Sequence, residues 1–497
     1  MAARLLVVAL LSVALGMAAH AGEPPLPAGL APAPAPEKEE PALPAGLAPV
    51  APASAAEPEL PAGLGPAAPT PSEEPALPVG LDAAPGEAPP PEDDREKLRL
   101  RDRLPPLHGF WEARGGVRTQ RDPAARVAAT MAETRVQLKS EYAWKQLVAE
   151  ATADAYLDGV VFDESGIDVR QARLTWTATR HLDFRIGRQI LTWGTGDLLF
   201  INDMFPKDWN SFFIGRDVEY LKAPSNAIKA GLYFDLLNFE VVYTPLFEPD
   251  RMITGDRISF WNPMFKRYDG RRRELDYAAP NGWFKDHEIA LRAYRSFGKY
   301  EAALYSYTGF WKSPGGQRLT PFMQARFPRL NVYGASLRGP IGKGMANVEL
   351  GYFDSRQNRA GDNMLINNSE FRFLAGYERE LMKDFTGGVQ YYVEVMMHYD
   401  KYKRNLPFWV TPKDPARHVL TARLTKLMLN QNLILSMFTY FSPSDLDAYL
   451  RPNVQYKIND HWTVEGGANV FLGASKTTFF GQFQRNTNIY AGARYSF

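Results

Sequence analysis

The chain has 497 residues, no cysteine, a formal net charge of +1 and 23% charged residues. The missing cysteine excludes disulfides, a lipid-anchoring cysteine, thiolate metal sites and covalent haem attachment, and the near-zero charge gives no case for nucleic-acid binding. Hydrophobic residues make up 45% and aromatics 12%, yet no apolar run after the first residues is long enough for a membrane helix. That composition suits strands that turn an apolar side chain outward only at every second position.

The first element reads as a secretory signal peptide over residues 1–21. Arg4 supplies the positive start, Leu5 to Met17 the apolar core, and Ala19-His20-Ala21 the small-residue cleavage site, with cleavage expected after Ala21. Residues 22–103 read as a disordered, proline-rich periplasmic linker. Within it one phrase returns four times, at Glu23–Leu30, Glu40–Leu47, Glu57–Leu64 and Glu74–Leu81, with a period of 17 residues. Each copy has too little apolar bulk to pack a core, so an extended tether is expected, reaching ~200 Å at most at ~3.1 Å per residue. Its bland use is as a spacer. Its sharper use is to dock a periplasmic or cell-wall partner through residues 23–95.

Residues 104–497 read as an all-β, transmembrane, antiparallel up-and-down barrel. Arg135, Gln137, Lys139 and Glu141 alternate with Val136, Leu138, Ser140 and Tyr142, and the pattern recurs along the chain. Short turns at 145–146, 180–181, 236–237, 298–299, 342–344, 383–384, 430–431 and 459–460 alternate with longer segments at about 119–131, 160–168, 192–217, 246–286, 309–328, 355–368, 399–416, 441–447 and 474–487. A soluble barrel has no reason to sort its loops by side, whereas a membrane barrel does. Eight turns and nine loops predict 18 strands, with 16 as the alternative, and both termini in the periplasm. In the last segment Ile489, Ala491, Ala493, Tyr495 and Phe497 share one face. This resembles the closing strand of bacterial outer-membrane barrels, and the resemblance implies that Phe497 is a signal for the barrel-assembly machinery.

A barrel of this size leaves room for an aqueous channel, so chemistry is expected where loops narrow it. The segment from Trp193 through Asp197, Asp203 and Trp209 to Asp217 carries more Trp and Phe than a water-exposed loop needs. It is expected to fold back into the barrel and form a constriction with Arg135, Arg173, Arg185 and Gln189 on the neighbouring wall. A second long loop holds Trp261, Arg267, Arg271, Arg272 and Arg273. Arginine beside aromatics suits an anionic or sugar-like solute, and a solvated charge run facing lipopolysaccharide phosphates is the slightly favoured alternative. Cations and acids both alternate onto the inner face, so the lumen is expected to be mixed in charge.

Arg185-Ile186-Gly187-Arg188-Gln189 followed by Trp193-Gly194 resembles a strand-and-loop motif of alginate-export-type and related porin-like barrels. The resemblance implies an 18-stranded outer-membrane channel and places Arg185, Arg188 and Gln189 at or near the pore. Alternation puts Arg188 on the face of Phe184 and Ile186 instead. The acidic inner residues depart from an arginine-lined lumen, so alginate is not implied. The expected function is diffusion or export of small polar or anionic solutes, without enzyme activity, cofactor or metal. The alternatives are a sheath for an electron-transfer cytochrome, or an outer-membrane tether acting through the repeats. The expected surroundings are outer-membrane lipid and lipopolysaccharide.

Overall fold

The computed structural model describes residues 106–497 apart from 126, 264, 320–323, 409 and 411. The expected signal peptide, linker and repeats lie outside the described residues. Eighteen strands form one sheet. They are β1 (Leu107–Arg118), β2 (Ala129–Trp144), β3 (Leu147–Asp158), β4 (Gly166–Thr179), β5 (Leu182–Ile190), β6 (Pro224–Leu232), β7 (Asn238–Thr244), β8 (Glu288–Phe297) and β9 (Tyr300–Phe310). The second half is β10 (Arg329–Ile341), β11 (Gly344–Ser355), β12 (Glu370–Met382), β13 (Phe385–Met396), β14 (Ala416–Met428), β15 (Leu433–Ser442), β16 (Asp447–Lys457), β17 (Trp462–Gly473) and β18 (Asn488–Ser496). Each strand pairs antiparallel with the next.

The sheet closes on itself. β18 pairs with β1 in the register Phe110↔Ser496 to Arg118↔Asn488. Gly109 and Phe497 exchange two backbone hydrogen bonds at 2.9 Å beyond the last rung. Closure leaves no unpaired edge, which is the condition for a sheet in hydrocarbon.

Turn chemistry sorts the connections. Lys145, Gly298, Gly342 and Asp384 all have φ between 54° and 60° at one end of the barrel, the left-handed backbone that tight hairpins need. The loops at the other end are loop 1 (119–128), loop 2 (159–165), loop 3 (191–223), loop 4 (245–287), loop 5 (311–328), loop 6 (356–369), loop 7 (397–415), loop 8 (443–446) and loop 9 (474–487). Loop 8 is shorter than the sequence suggested, because β15 and β16 stay paired up to Ser442↔Asp447. Small external sheets, such as Phe260–Asn262 with Arg267–Asp269, decorate loops 4 and 5.

Side chains divide by face. Leu138, Leu174, Ile186, Ile228, Leu304, Leu337, Leu350, Val389 and Leu420 point out and are exposed around the whole wall. Aromatics gather at the short-turn rim, where Trp111 meets Trp462 at 6.3 Å, Trp176 stacks on Phe184 at 5.8 Å, and Phe297 faces Tyr300 at 6.3 Å. Tyr333, Tyr352 and Phe371 lie side by side toward the other rim. A water-exposed protein seldom shows a continuous apolar patch beyond a few hundred Å². A belt between two aromatic girdles is the surface a bilayer requires. Inside, Glu112, Glu133, Arg135, Asp154 and Asp158 are buried.

Candidate constriction formed by loop 3

Loop 3 turns inward at Gly194, whose φ is 83° and whose missing Cβ would lie 2.9 Å from Glu349 Oε1. On the far wall, that Glu349 carboxylate accepts from the Gly196 amide at 2.8 Å and from Asn202 Nδ2 at 3.1 Å, and also from the Thr195 amide. Asn347 Nδ2 donates to the Thr195 carbonyl at 2.9 Å. Asp197 then meets β13 and β14. Its amide donates to Gln390 Oε1 at 3.2 Å, and its carboxylate takes two bonds from Arg423, one at 2.8 Å. Asp203 ties the loop to itself, accepting from Thr192 Oγ1 at 2.8 Å and pairing with Lys207 Nζ at 2.9 Å.

The loop next makes a short helix, α1 (Trp209–Ile214), because Asp208 caps it by accepting from the Ser211 amide at 2.8 Å. α1 presses Phe213 against Tyr449, Phe471 and Phe483 at ring distances of 5.2–5.4 Å. Gly215 ends it with φ 98°, directly over the Tyr490 ring, where a Cβ would come within 2.3 Å. Arg216 enters a buried pairing with Glu133. Asp217 accepts from Arg494 and lies 3.3 Å from Arg114 Nη2. Tyr220 donates to Asp154 at 2.9 Å, and Arg170 reaches the carbonyls of Glu219 and Lys222 before the chain re-enters the wall at β6.

Loop 3 therefore crosses from β5 to β11–β14, follows β16–β18 and β1–β4, and returns to β6. Burial would raise the Asp217 carboxyl, but Arg494 and Arg114 overcome that and hold it at about 2. Glu219 is pushed up by burial and by the neighbouring Asp217 charge.

Loop 4 lies against loop 3. Asp250 accepts from the Lys207 amide at 2.8 Å, and Arg251 pairs with Asp168 at 2.8 Å. Arg257 is buried, donating to the Thr130 carbonyl at 3.1 Å and to Glu164 at 2.8 Å, and pairing with Asp158. Burial raises the Glu164 carboxyl; Arg257 opposes the rise and Asp256 adds to it.

The sequence-derived residues take distinct places. Arg185 is on the inner face, its side chain 38% exposed and 3.6 Å from Asp183. Arg173 pairs with Glu150 at 2.9 Å on the same face. Arg135 is buried, bound to Glu133 at 2.7 Å and stacked 4.6 Å over Tyr220. Gln189 is 1% exposed, and its amide donates to the Ala227 carbonyl at 3.0 Å, so it is turned against the strand wall. Arg188 lies on the outer face, with Nε donating to the Val169 carbonyl at 2.7 Å and Nη1 near Glu248 at 3.3 Å. Asp197 and Asp203 are on loop 3 as described.

Among the loop 4 candidates, Trp261 packs on Tyr268 at 5.2 Å and under Lys476 at 4.9 Å. Arg267 pairs with Asp269 at 2.8 Å, Arg271 donates to the Val160 carbonyl at 2.7 Å, and Arg272 and Arg273 are exposed. Phe497 is half exposed on the outer face. Sequence reasoning did not single out Arg216, Arg257 and Arg494. Arg494 sat visibly on a polar strand face, but nothing local marked the two loop arginines.

Fold and site together define a closed 18-stranded membrane-type β-barrel whose third long loop is folded into its lumen. No family model matches the chain, and no curated protein does. Among solved structures it is similar to OccAB3 of Acinetobacter baumannii, at 10% identity over 79% of this chain and 98% of that one, with a TM-score of 0.47. It is also similar to OccD3 of Pseudomonas aeruginosa, at 11% identity, 79% and 92% coverage, and a TM-score of 0.46. A mutant of the porin of Rh. blastica matches at 9% identity, with 79% and 100% coverage and a TM-score of 0.34.

Proposed function

We propose that the protein is an outer-membrane channel through which small polar or anionic solutes diffuse or are exported, with loop 3 as its constriction. The carrying observation is the pairing of an apolar outer belt with a charged lumen that loop 3 crosses. Asp197 with Arg423 and Asp217 with Arg494 remain partly water-accessible on that crossing, with side-chain exposures of 18–36%. Opposed charges at a narrow point act on passing ions by their local field. The short-turn rim, which carries both chain ends of the barrel, is then periplasmic, and Arg272 and Arg273 face the outside, where solute or lipopolysaccharide phosphates would meet them.

The sheath reading is disfavoured because a cytochrome threaded through the barrel would have to displace loop 3 from Glu349, Arg423 and Arg494 together. The test is conductance of the purified protein in planar bilayers. Stepwise ion current supports the channel. A silent protein that co-purifies with a multihaem partner contradicts it.

A further inference from the structure

The outer wall at β2–β4 carries a groove that the channel reading does not use. Its volume is about 290 Å³, and it is lined by Tyr142, Trp144, Leu147, Ala149 and Leu174. Register explains the shape. Tyr142, Ala149 and Leu174 share one rung, with a small residue between two large ones. The rungs above continue with Ala151 and then Ala153, the latter between Leu138 and Val169. The low floor runs along β3 over the seven residues from Ala149 to Ala155, about 20 Å at the usual strand rise. At the ~45° tilt of a spanning strand that covers about 14 Å of depth, close to one leaflet's half of a ~30 Å hydrocarbon core.

The groove ends at the short-turn rim under Trp144, Leu147 and Trp176, which again share a rung. The two turns flanking it hold exposed Lys145, Arg180 and His181 and no acid. Lys145 Nζ stands 5.1 Å over the Trp144 ring, and Arg180 Nε lies 2.9 Å from His181 Nε2. An apolar trough with cations at its headgroup end is complementary to a lipid that joins a long chain to a phosphate.

We infer that this groove holds one anionic glycerophospholipid of the inner leaflet, its acyl chain along Ala149–Ala155 and its phosphate at Lys145 and Arg180. The alanines give the chain close contact without side-chain ordering, while Tyr142, Trp144 and Leu174 flank it. The ring of Trp144 sits at the depth where amphipathic aromatics prefer to lie.

Native mass spectrometry of the purified full-length protein, with phosphatidylglycerol or phosphatidylcholine added in turn, tests this. One phosphatidylglycerol per barrel is expected to survive activation that strips the other lipids, with phosphatidylcholine retained at least about fivefold less. Ala151→Phe fills the trough and should lower retention about tenfold, and the surface pair Lys145→Glu with Arg180→Glu should do the same while leaving the alanine floor unchanged. Ala422→Phe, on the outer face of β14, should leave retention unchanged. Each variant is checked for folding by its heat-modifiable gel mobility. Equal retention in all variants, no retained lipid, or a dimer in place of the lipid adduct would overturn the assignment. None of these outcomes depends on whether the barrel conducts.

Discussion

Asp197 on loop 3 and Arg423 on β14 are 226 residues apart in the chain, yet two hydrogen bonds join their side chains where the loop meets the wall. Side-chain exposures of 36% and 29% keep the pair in contact with water. It therefore fixes the loop while leaving charge exposed on it. Replacing Asp197 by Asn should weaken loop docking by about 1 kcal/mol, the scale of a partly exposed ion pair, and raise open-channel current noise. A double-mutant cycle with Arg423→Gln, read from the same noise, should give a non-zero coupling.

Gly215 is expected to be intolerant of a side chain. Gly215→Ala puts a Cβ within 2.3 Å of the Tyr490 ring at a φ of 98°. The cost should be about 2–3 kcal/mol, seen as a lower temperature of the folded-to-unfolded shift on gels. Adding Tyr490→Ala should recover part of the loss, because it removes the clash but not the backbone strain.

Docking of loops 3 and 4 should depend on pH in two opposite ways. Glu219 and Glu164 are raised by burial, so both are easier to bury once protonated. Docking then strengthens as pH falls through their raised values toward the ordinary glutamate range near ~4.3. Asp217 is held at about 2, so its pairing stabilises docking above the ordinary aspartate value of ~3.9 and is lost as pH falls toward the docked-state value. Current fluctuations recorded from neutral pH downward should first quieten and then grow. A single monotonic trend would contradict this pairing of effects.

Arg185 and Arg188 are three residues apart on opposite faces of β5. Arg185→Glu should shift the reversal potential in a salt gradient toward cations, and Arg188→Glu should leave it unchanged. Arg272→Glu, on the exposed loop 4, should give a smaller shift than Arg185→Glu. A response to Arg188→Glu alone would mean that the face assignment of β5 is wrong.

Leu304 is 64% exposed on the outer face of β9, between the two girdles. Leu304→Arg should lower folding into bilayers by about 2–4 kcal/mol, the cost of such a charge near the bilayer midplane. The yield of heat-modifiable protein after refolding into vesicles measures it.

Much of the barrel was legible because its physics is local. Period-two alternation from Val136 to Tyr142, and turn residues such as Gly298 and Gly342, need no knowledge of distant residues. The inward course of loop 3 could also be read from its load of Trp and Phe. What could not be read is long-range register. Loop 8 shrank because β15 and β16 stay paired further than their side chains announce. Gln189 looks like a pore residue by parity, yet it is buried and its amide goes to the Ala227 carbonyl. Arg257 and Arg216 are single charges in irregular loops, and only the folded chain brings them to Asp158 and Glu133.

The chain has no cysteine, so a single introduced thiol reports without background. The central claim is most directly tested by single-channel recording of the Asp197→Cys protein before and after a negatively charged thiol reagent. The predicted result is stepwise current that drops when the reagent enters the constriction, with no response from wild type. Current steps that ignore the reagent, or no steps from either protein, would contradict a channel narrowed by loop 3.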